Sequence, residues 1–334
     1  MSLKDKIAGT LAGMVYGDAF GVPGELWPRE KVRSRFGTID KFLDGPEDNI
    51  VACYFKAGHY TDDSSQALVI LNDLLKYGCV PETAILAKDL IAWVESMNGF
   101  EINLLGPSSK ASLLAHVKGE DYTKYTKTAL TNGAAMRIAP VGTFFNFDET
   151  KSLCRTVAKV SSVTHGTDVA IAGASMVAQA VASGLCGRSY DEMLEDICKA
   201  FDFAVTLGEP TWAASIKDRL LNVLDKAKGC TDPDKFSLLV YNLVGTGTMT
   251  SESVTAALAI AYYCQDVEKA AFLCANMGGD TDTIGSMACA ICGAFSGLSS
   301  IKNETISYLE KTNDINFADL ADKIIKARAS FIKE

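Results

Sequence analysis

The stretch GGDTDTIGSMACAICGAFSG, Gly278 to Gly297, decides between a helical and a sheet fold. Its first nine residues hold two aspartates, two threonines and three glycines. The rest is a run of small and apolar residues with no strict alternation, which reads as a buried helix rather than a strand. Asp and Thr at a helix mouth accept backbone N–H bonds, but one capping residue is enough for that. Two carboxylates one residue apart repel and raise each other's pKa unless a cation intervenes. The stretch therefore predicts a helix whose mouth carries more acid than capping requires. Cys289 and Cys292 form a Cys-x-x-Cys pair in this helix. With no partner pair elsewhere they read as core.

Working outward, most of the chain repeats the helical pattern. Leu3, Ile7, Leu11 and Met14 recur at helical spacing from Leu3 to Val15, with Ser2 as the N-cap. Ala67, Leu68, Leu71, Leu74 and Leu75 do the same after TDDSSQ, and Pro81 opens a further segment with Ile85, Leu86, Leu90 and Trp93. Other helical stretches begin near Lys151, Asp168, Ser189, Trp212, Thr250, Asp266 and Asn316. Several are rich in Ala, Gly and Ser, which let backbones approach closely, so these are read as the central helices. Strand-like alternation is scarce. The expectation is an all-α fold in one domain spanning residues 1–334. The segment from Phe36 to Tyr60 is long for a connection between helices, and loops of that length are often functional.

Composition narrows the function classes. The chain of 334 residues is 48% hydrophobic and 22% charged, with a formal net charge of −9. That surface gives no electrostatic reason to bind nucleic acid. No uninterrupted apolar run reaches the roughly 18–20 residues of a membrane span. The ten cysteines are scattered through apolar stretches rather than set out as a disulfide framework. These features lead to the expectation of a reduced, cytoplasmic protein with neither nucleic-acid nor membrane partners.

Four polar clusters interrupt the helical pattern. GDAFGVPGE, Gly17 to Glu25, sets Asp18 and Glu25 among glycines and reads on its own as a turn after the first helix. GHYTDDSS, Gly58 to Ser65, places Thr61, Asp62 and Asp63 before a helix. GGDTDTIGS repeats that theme with Asp280, Asp282 and Thr283. The oxygen-only donors of these two mouths suit hard cations such as Mg²⁺ or Mn²⁺, and no His or thiolate set points to zinc. The fourth cluster joins TNGAAMRIAP and THGTDVA. Asn132 and Gly133 form a turn whose backbone N–H groups can cradle an anion. For Arg137 the bland reading is an ion pair, and for His165 a structural role.

Taken together, GTLAGMVYGDAFGVPGE, YTDDS, NGAAMRIAP, VTHGTDVAIAGA and the run from ESVTAALAIAYYCQ through GGDTDTIGSMACAICGAFSG resemble the ADP-ribosylglycohydrolase family over nearly the whole chain. The resemblance implies a roughly orthogonal multi-helix domain with two divalent cations in a cleft, Mg²⁺ first and Mn²⁺ second. Thr61, Asp62 and Asp63 match the first metal motif of that family, and Asp280, Asp282 and Thr283 the second. Glu25 matches an acidic residue over the site. Asn132, Gly133, His165 and Gly279 join Glu25 as the substrate-facing set. Many relatives carry a Gly- and Ser-rich run before the NGA segment, whereas here TKTALTNGAAM has no glycine before Gly133.

The chemistry implied is hydrolysis at C1 of a ribose in an ADP-ribosyl conjugate, on a protein side chain or a small molecule. Paired divalent ions orient ribose hydroxyls and lower the pKa of water, and nearby carboxylates favour an oxocarbenium-like transition state. Asp63 and Glu25 are the candidates for the proton-accepting carboxylate. Two alternatives stand beside this reading. One is an N-glycosidase of a smaller nucleoside or nucleotide. The other is a non-catalytic ADP-ribose-binding or crystallin-like protein.

Overall fold

The computed structural model describes residues 1–334, which form seventeen α-helices and five short 3-10 turns, with no β-strand. The helices are α1 (Leu3–Gly21), α2 (Arg29–Phe36), α3 (Asp62–Tyr77), α4 (Thr83–Ser96), α5 (Pro107–Lys118), α6 (Thr123–Thr126), α7 (Ala139–Gly142), α8 (Thr150–Ser161) and α9 (Asp168–Leu185). They continue with α10 (Tyr190–Ala204), α11 (Ile216–Lys226), α12 (Pro233–Leu243), α13 (Thr250–Cys264), α14 (Val267–Ala275), α15 (Thr281–Ser296), α16 (Asn303–Asn313) and α17 (Phe317–Arg328). The all-α expectation holds. Ser2 caps α1, its hydroxyl accepting from the Asp5 N–H at 3.1 Å. The segment from Phe36 to Tyr60 contains one 3-10 turn, Ala52–Tyr54, and the end of α2.

The small-residue helices occupy the centre. Val169 through Leu185 in α9 are all buried, as are Thr281 through Ala294 in α15. Helix α9 is long and apolar enough to cross a bilayer, but 94% of it is packed inside the protein. A contiguous core of 83 buried apolar residues runs through these helices and their neighbours.

The α1–α15 pair positions the site. Gly9, Gly13, Gly17 and Gly21 recur every fourth residue and so share one face of α1. That face runs antiparallel along α15: a Cβ on Gly13 would lie 2.1 Å from the Cys289 carbonyl oxygen, and one on Gly17 would lie 2.0 Å from that of Gly285. Only glycine permits backbones this close. The sequence pattern ends this helix at Val15 and marks Gly17–Glu25 as a turn. In the structure the helix continues to Gly21, because contact with α15 outweighs the low helix propensity of glycine. The consequence is geometric: the last turn of α1 lies against the mouth of α15.

Candidate active site

Three chain segments supply the acids. The last turn of α1 and the 3-10 turn after it, Val22–Gly24, carry Asp18 and Glu25. The mouth of α3 carries Thr61, Asp62 and Asp63, and the mouth of α15 carries Asp280, Asp282 and Thr283. Each attachment is specific. Asp18 accepts from the backbone N–H groups of Thr61 at 2.9 Å and Ser64 at 3.0 Å, which pins the start of α3 to α1. Thr61 caps α3, its hydroxyl accepting from the Asp63 N–H at 3.3 Å. The Thr281 hydroxyl donates to the Gly21 carbonyl at 2.7 Å and locks the mouth of α15 to the end of α1. An antiparallel bridge joins Trp27 to Gly279, with the Leu26 N–H donating to the Gly279 carbonyl at 2.7 Å.

These links bring both predicted acidic mouths to one point. Carboxylate oxygens of Asp18, Asp63 and Asp282 lie within 4.8 Å of one another, and so do those of Glu25, Asp280 and Asp282. Asp62 completes a set of six. Burial is the main cause that raises the pKa of every one of them. Asp18 and Asp280 rise to about 6, held there by hydrogen bonds that favour the charged form. Asp62 rises to about 8 through burial and then the charges of Asp18 and Asp280. Glu25, Asp63 and Asp282 go well above the usual carboxylate range, each through burial and then its acidic neighbours.

The cluster lies at one side of a cleft of about 280 Å³. Glu25, Asp62, Asp63, Asp280, Asp282 and Thr283 face it, together with Asn132 and Gly133. Asn132 donates through Nδ2 to Asp280 at 2.5 Å and to the Ser253 hydroxyl at 3.0 Å. Gly133 comes close to His165, and a Cβ there would lie 2.7 Å from the imidazole Cε1. Gly106, Pro107 and Ser109, at the start of α5, form another part of the wall. Leu26, Ile50, Val51, Leu104, Leu105 and Met136 supply the apolar lining. No Lys, Arg or His lines the cleft.

Three predicted site residues stand back from the cleft. His165 is fully buried behind Thr131, to which its Nε2 is hydrogen-bonded at 3.0 Å. Burial and the Arg137 charge bring its pKa down to about 3, so it is neutral. Gly279 acts through its backbone: its φ is +90° and a Cβ would lie 2.1 Å from the Thr246 carbonyl oxygen. Thr61 is buried at the α3 cap.

The sequence pattern does not reveal the work of Asp18, although it is the only charged residue between Lys6 and Glu25. An ionisable residue on an otherwise apolar helix is the signal that could have found it. Asn49 also escapes the sequence pattern. It is buried, donates to the Glu25 carbonyl at 2.8 Å, and accepts from the N–H groups of Val51 and Ala52, both at 3.1 Å. It thereby ties the long loop to the site and sets Ile50 and Val51 in the cleft lining. Arg137 makes no ion pair. It is fully buried and bonded to two neutral side-chain oxygens, of Gln66 and Thr164.

The donor set fits a hard cation. Asp63 Oδ2 is buried with no hydrogen-bond partner, beside other carboxylates and with no cationic side chain in the cleft. Oxygen donors without thiolate or imidazole suit Mg²⁺ or Mn²⁺.

A family model described as ADP-ribosylglycohydrolase matches residues 1–330. The uncharacterized protein YegU of Escherichia coli (strain K12) is 37% identical over 325 residues, covering 97% of each chain. The ADP-ribosylarginine hydrolase Tri1 of Pseudomonas putida (strain GB-1) is 24% identical over 90% of this chain and 73% of its own. A solved structure described as an ADP-ribosylglycohydrolase-related protein complex has the same fold, with a TM-score of 0.72 at 21% identity over 98% of this chain and 99% of its own. An all-α scaffold with an acidic cleft of this kind is that of a glycosidic-bond hydrolase. The chain belongs to the ADP-ribosylglycohydrolase family.

Proposed function

We propose that this protein is a divalent-cation-dependent hydrolase that cleaves the C1 glycosidic bond of an ADP-ribosyl conjugate, with ADP-ribosylated arginine as the preferred class. The observation that carries the reading is the convergence of five carboxylates on one cleft, with Asp18 buried behind them and one of the five carrying an unpartnered buried oxygen. A cleft that is acidic and free of cationic side chains suits a guanidinium leaving group. The relative named as an ADP-ribosylarginine hydrolase supports the same substrate.

Thr61, Asp62, Asp63, Asp280, Asp282 and Thr283 are assigned to hold two divalent ions, Mg²⁺ before Mn²⁺. When bound, such ions offset the carboxylate charge and polarise ribose hydroxyls. The remaining work falls to the protein's own groups. Asp18 keeps α3 in place. Asn132 orients Asp280. Asp63 lies deep beside Asp18 and is assigned as a ligand. Glu25 is half-buried at the cleft and is assigned to take the proton from the attacking water. Water adds to C1 as the C1–N bond breaks with its electron pair going to nitrogen; the guanidine leaves neutral and takes up the proton that Glu25 removed from water, giving ADP-ribose and the free arginine side chain. Carboxylate charge around C1 favours the oxocarbenium-like transition state.

The test is release of ADP-ribose from ADP-ribosylated arginine, serine and acetyl-ester conjugates, with Mg²⁺, with Mn²⁺ and with chelator. The expected outcome is cation-dependent release from the arginine conjugate, abolished in Asp282→Ala. No release from any of the three would overturn the reading. The absence of a Lys or Arg to meet a diphosphate favours a second reading, an N-glycosidase of a smaller riboside. A nucleoside panel with free base as readout separates the two.

A further inference from the structure

Arg137 is the largest fully buried side chain of the protein, and it sits in one continuous hydrogen-bonded chain. Its Nη1 donates to Gln66 Oε1 at 2.6 Å, and Gln66 Nε2 donates to Asp62 Oδ2 at 3.0 Å. In the other direction its Nη2 donates to the Thr164 hydroxyl at 2.6 Å. That hydroxyl is 2.8 Å from His165 Nδ1, and His165 Nε2 is 3.0 Å from the Thr131 hydroxyl. Thr131 faces the cleft and also reaches the Ser108 hydroxyl at 3.3 Å. The chain therefore runs from the acid cluster to the cleft wall through the protein interior.

A guanidinium only donates. Gln66 must therefore turn its oxygen to Arg137, which leaves its NH₂ facing Asp62. Asp62 Oδ2 is thus held as an acceptor. The Thr164 oxygen receives from Arg137, and its own proton has one partner within reach, His165 Nδ1. Thr164 is fully buried, so a reversed bond would leave its O–H without an acceptor. Nδ1 therefore accepts and the ring proton sits on Nε2, which donates to Thr131. The Thr131 proton is left to donate, to Ser108 or to an oxygen of a ligand in the cleft.

We propose that Arg137 is a positioning residue that sets the direction of this chain, holding Asp62 as a hydrogen-bond acceptor in the acid cluster and presenting the Thr131 hydroxyl to the cleft as a donor toward a ligand oxygen. The Asp62 arm rests on the metal reading above; the His165 arm does not. Outer-shell partners of metal ligands typically change affinity by about 10–100-fold when altered.

Two measurements test it. In the ¹⁵N spectrum of the chelated wild-type protein, with His165 assigned through a His165→Asn variant, Nε2 is expected to carry the proton and Nδ1 none. In Arg137→Met, where the Thr164 oxygen is free to accept from Nδ1, this fixed tautomer should give way to a mixture. A protonated Nδ1 or an imidazolium at neutral pH in the wild type, or an unchanged ring spectrum in Arg137→Met, overturns the proposal. The second measurement is Mn²⁺ titration by calorimetry of Gln66→Glu, which keeps an acceptor for Arg137 and replaces the fixed amide donor to Asp62 with a carboxyl oxygen. Its affinity should fall at least about 10-fold while the chelated variant melts no lower than wild type. Wild-type affinity in Gln66→Glu overturns the Asp62 arm. If wild type binds no Mn²⁺, the metal reading fails, and the tautomer still decides this one.

Discussion

Asp18 and Asp63 belong to one buried cluster but spend their oxygens differently. Asp18 gives one to the Thr61 N–H and the other to the Ser64 N–H, whereas Asp63 Oδ2 has no partner. The same isosteric change should therefore act with opposite sign. Asp18→Asn turns an NH₂ toward a backbone donor and loses a charge-assisted bond, which should cost about 2 kcal/mol in urea unfolding of the chelated protein. Asp63→Asn replaces a carboxyl whose ionised form burial and acidic neighbours disfavour with a neutral amide that donates to the neighbouring carboxylates, so the chelated variant should be at least as stable as wild type. Its turnover should nonetheless fall by at least about 100-fold. If the two variants shifted stability in the same direction, the division of labour between structural and ligand aspartates would be wrong. The ligand candidates are legible in the sequence as overloaded helix caps. The partners of Arg137 are not, because its hydrogen bonds reach residues 71 and 27 positions away and leave no local pattern.

At the scale of elements, helices with a broad apolar stripe are readable and those with a thin one are not. Helix α2 buries only Arg29 and Val32, and α16 only Leu309, so neither shows a 3.6-residue apolar period. The α1–α15 contact is visible only as glycines every fourth residue in α1, a spacing that propensity alone reads as weak helix. Its importance can be measured. Gly17→Ala drives a Cβ to 2.0 Å from the Gly285 carbonyl oxygen, where rigid backbone cannot yield as a side chain would. Overpacking of this kind should cost about 3 kcal/mol in urea unfolding and, by prising Asp18 and Glu25 from the mouth of α15, should weaken Mn²⁺ binding as well. A variant that unfolded like wild type would mean the two helices can slide apart freely. The long loop is a second element whose role is local. Asn49→Ala frees the loop anchor on the Glu25 carbonyl, so KM should rise more than kcat falls in steady-state assays, since Ile50 and Val51 line the cleft and carry no group for proton transfer.

For the molecule as a whole, six carboxylates held above their ordinary pKa reverse the usual dependence of stability on pH. Asp18 and Asp280 titrate at about 6 and Asp62 at about 8 in the folded protein, against about 4 in an unfolded chain. Between those limits the chelated folded state binds more protons than the unfolded state, so stability must fall as pH rises. His165 acts in the opposite sense. Its folded pKa of about 3 lies below the unfolded value of about 6.5, so it removes stability only as pH falls below that value. The window from about pH 6.5 to 8 therefore reports the cluster together with Asp73, which lies outside it and is raised to about 7 by burial and then by its hydrogen bond to Asp89. In chelator the melting temperature should decline across it. In Mn²⁺ the decline should shrink to the share owed to Asp73, because a cation that binds only the folded state displaces the cluster's protons and binds more tightly as they leave. Differential scanning calorimetry at matched ionic strength measures both curves. Parallel curves, with a constant gap between them, would show that the cluster neither holds extra protons nor exchanges them for metal.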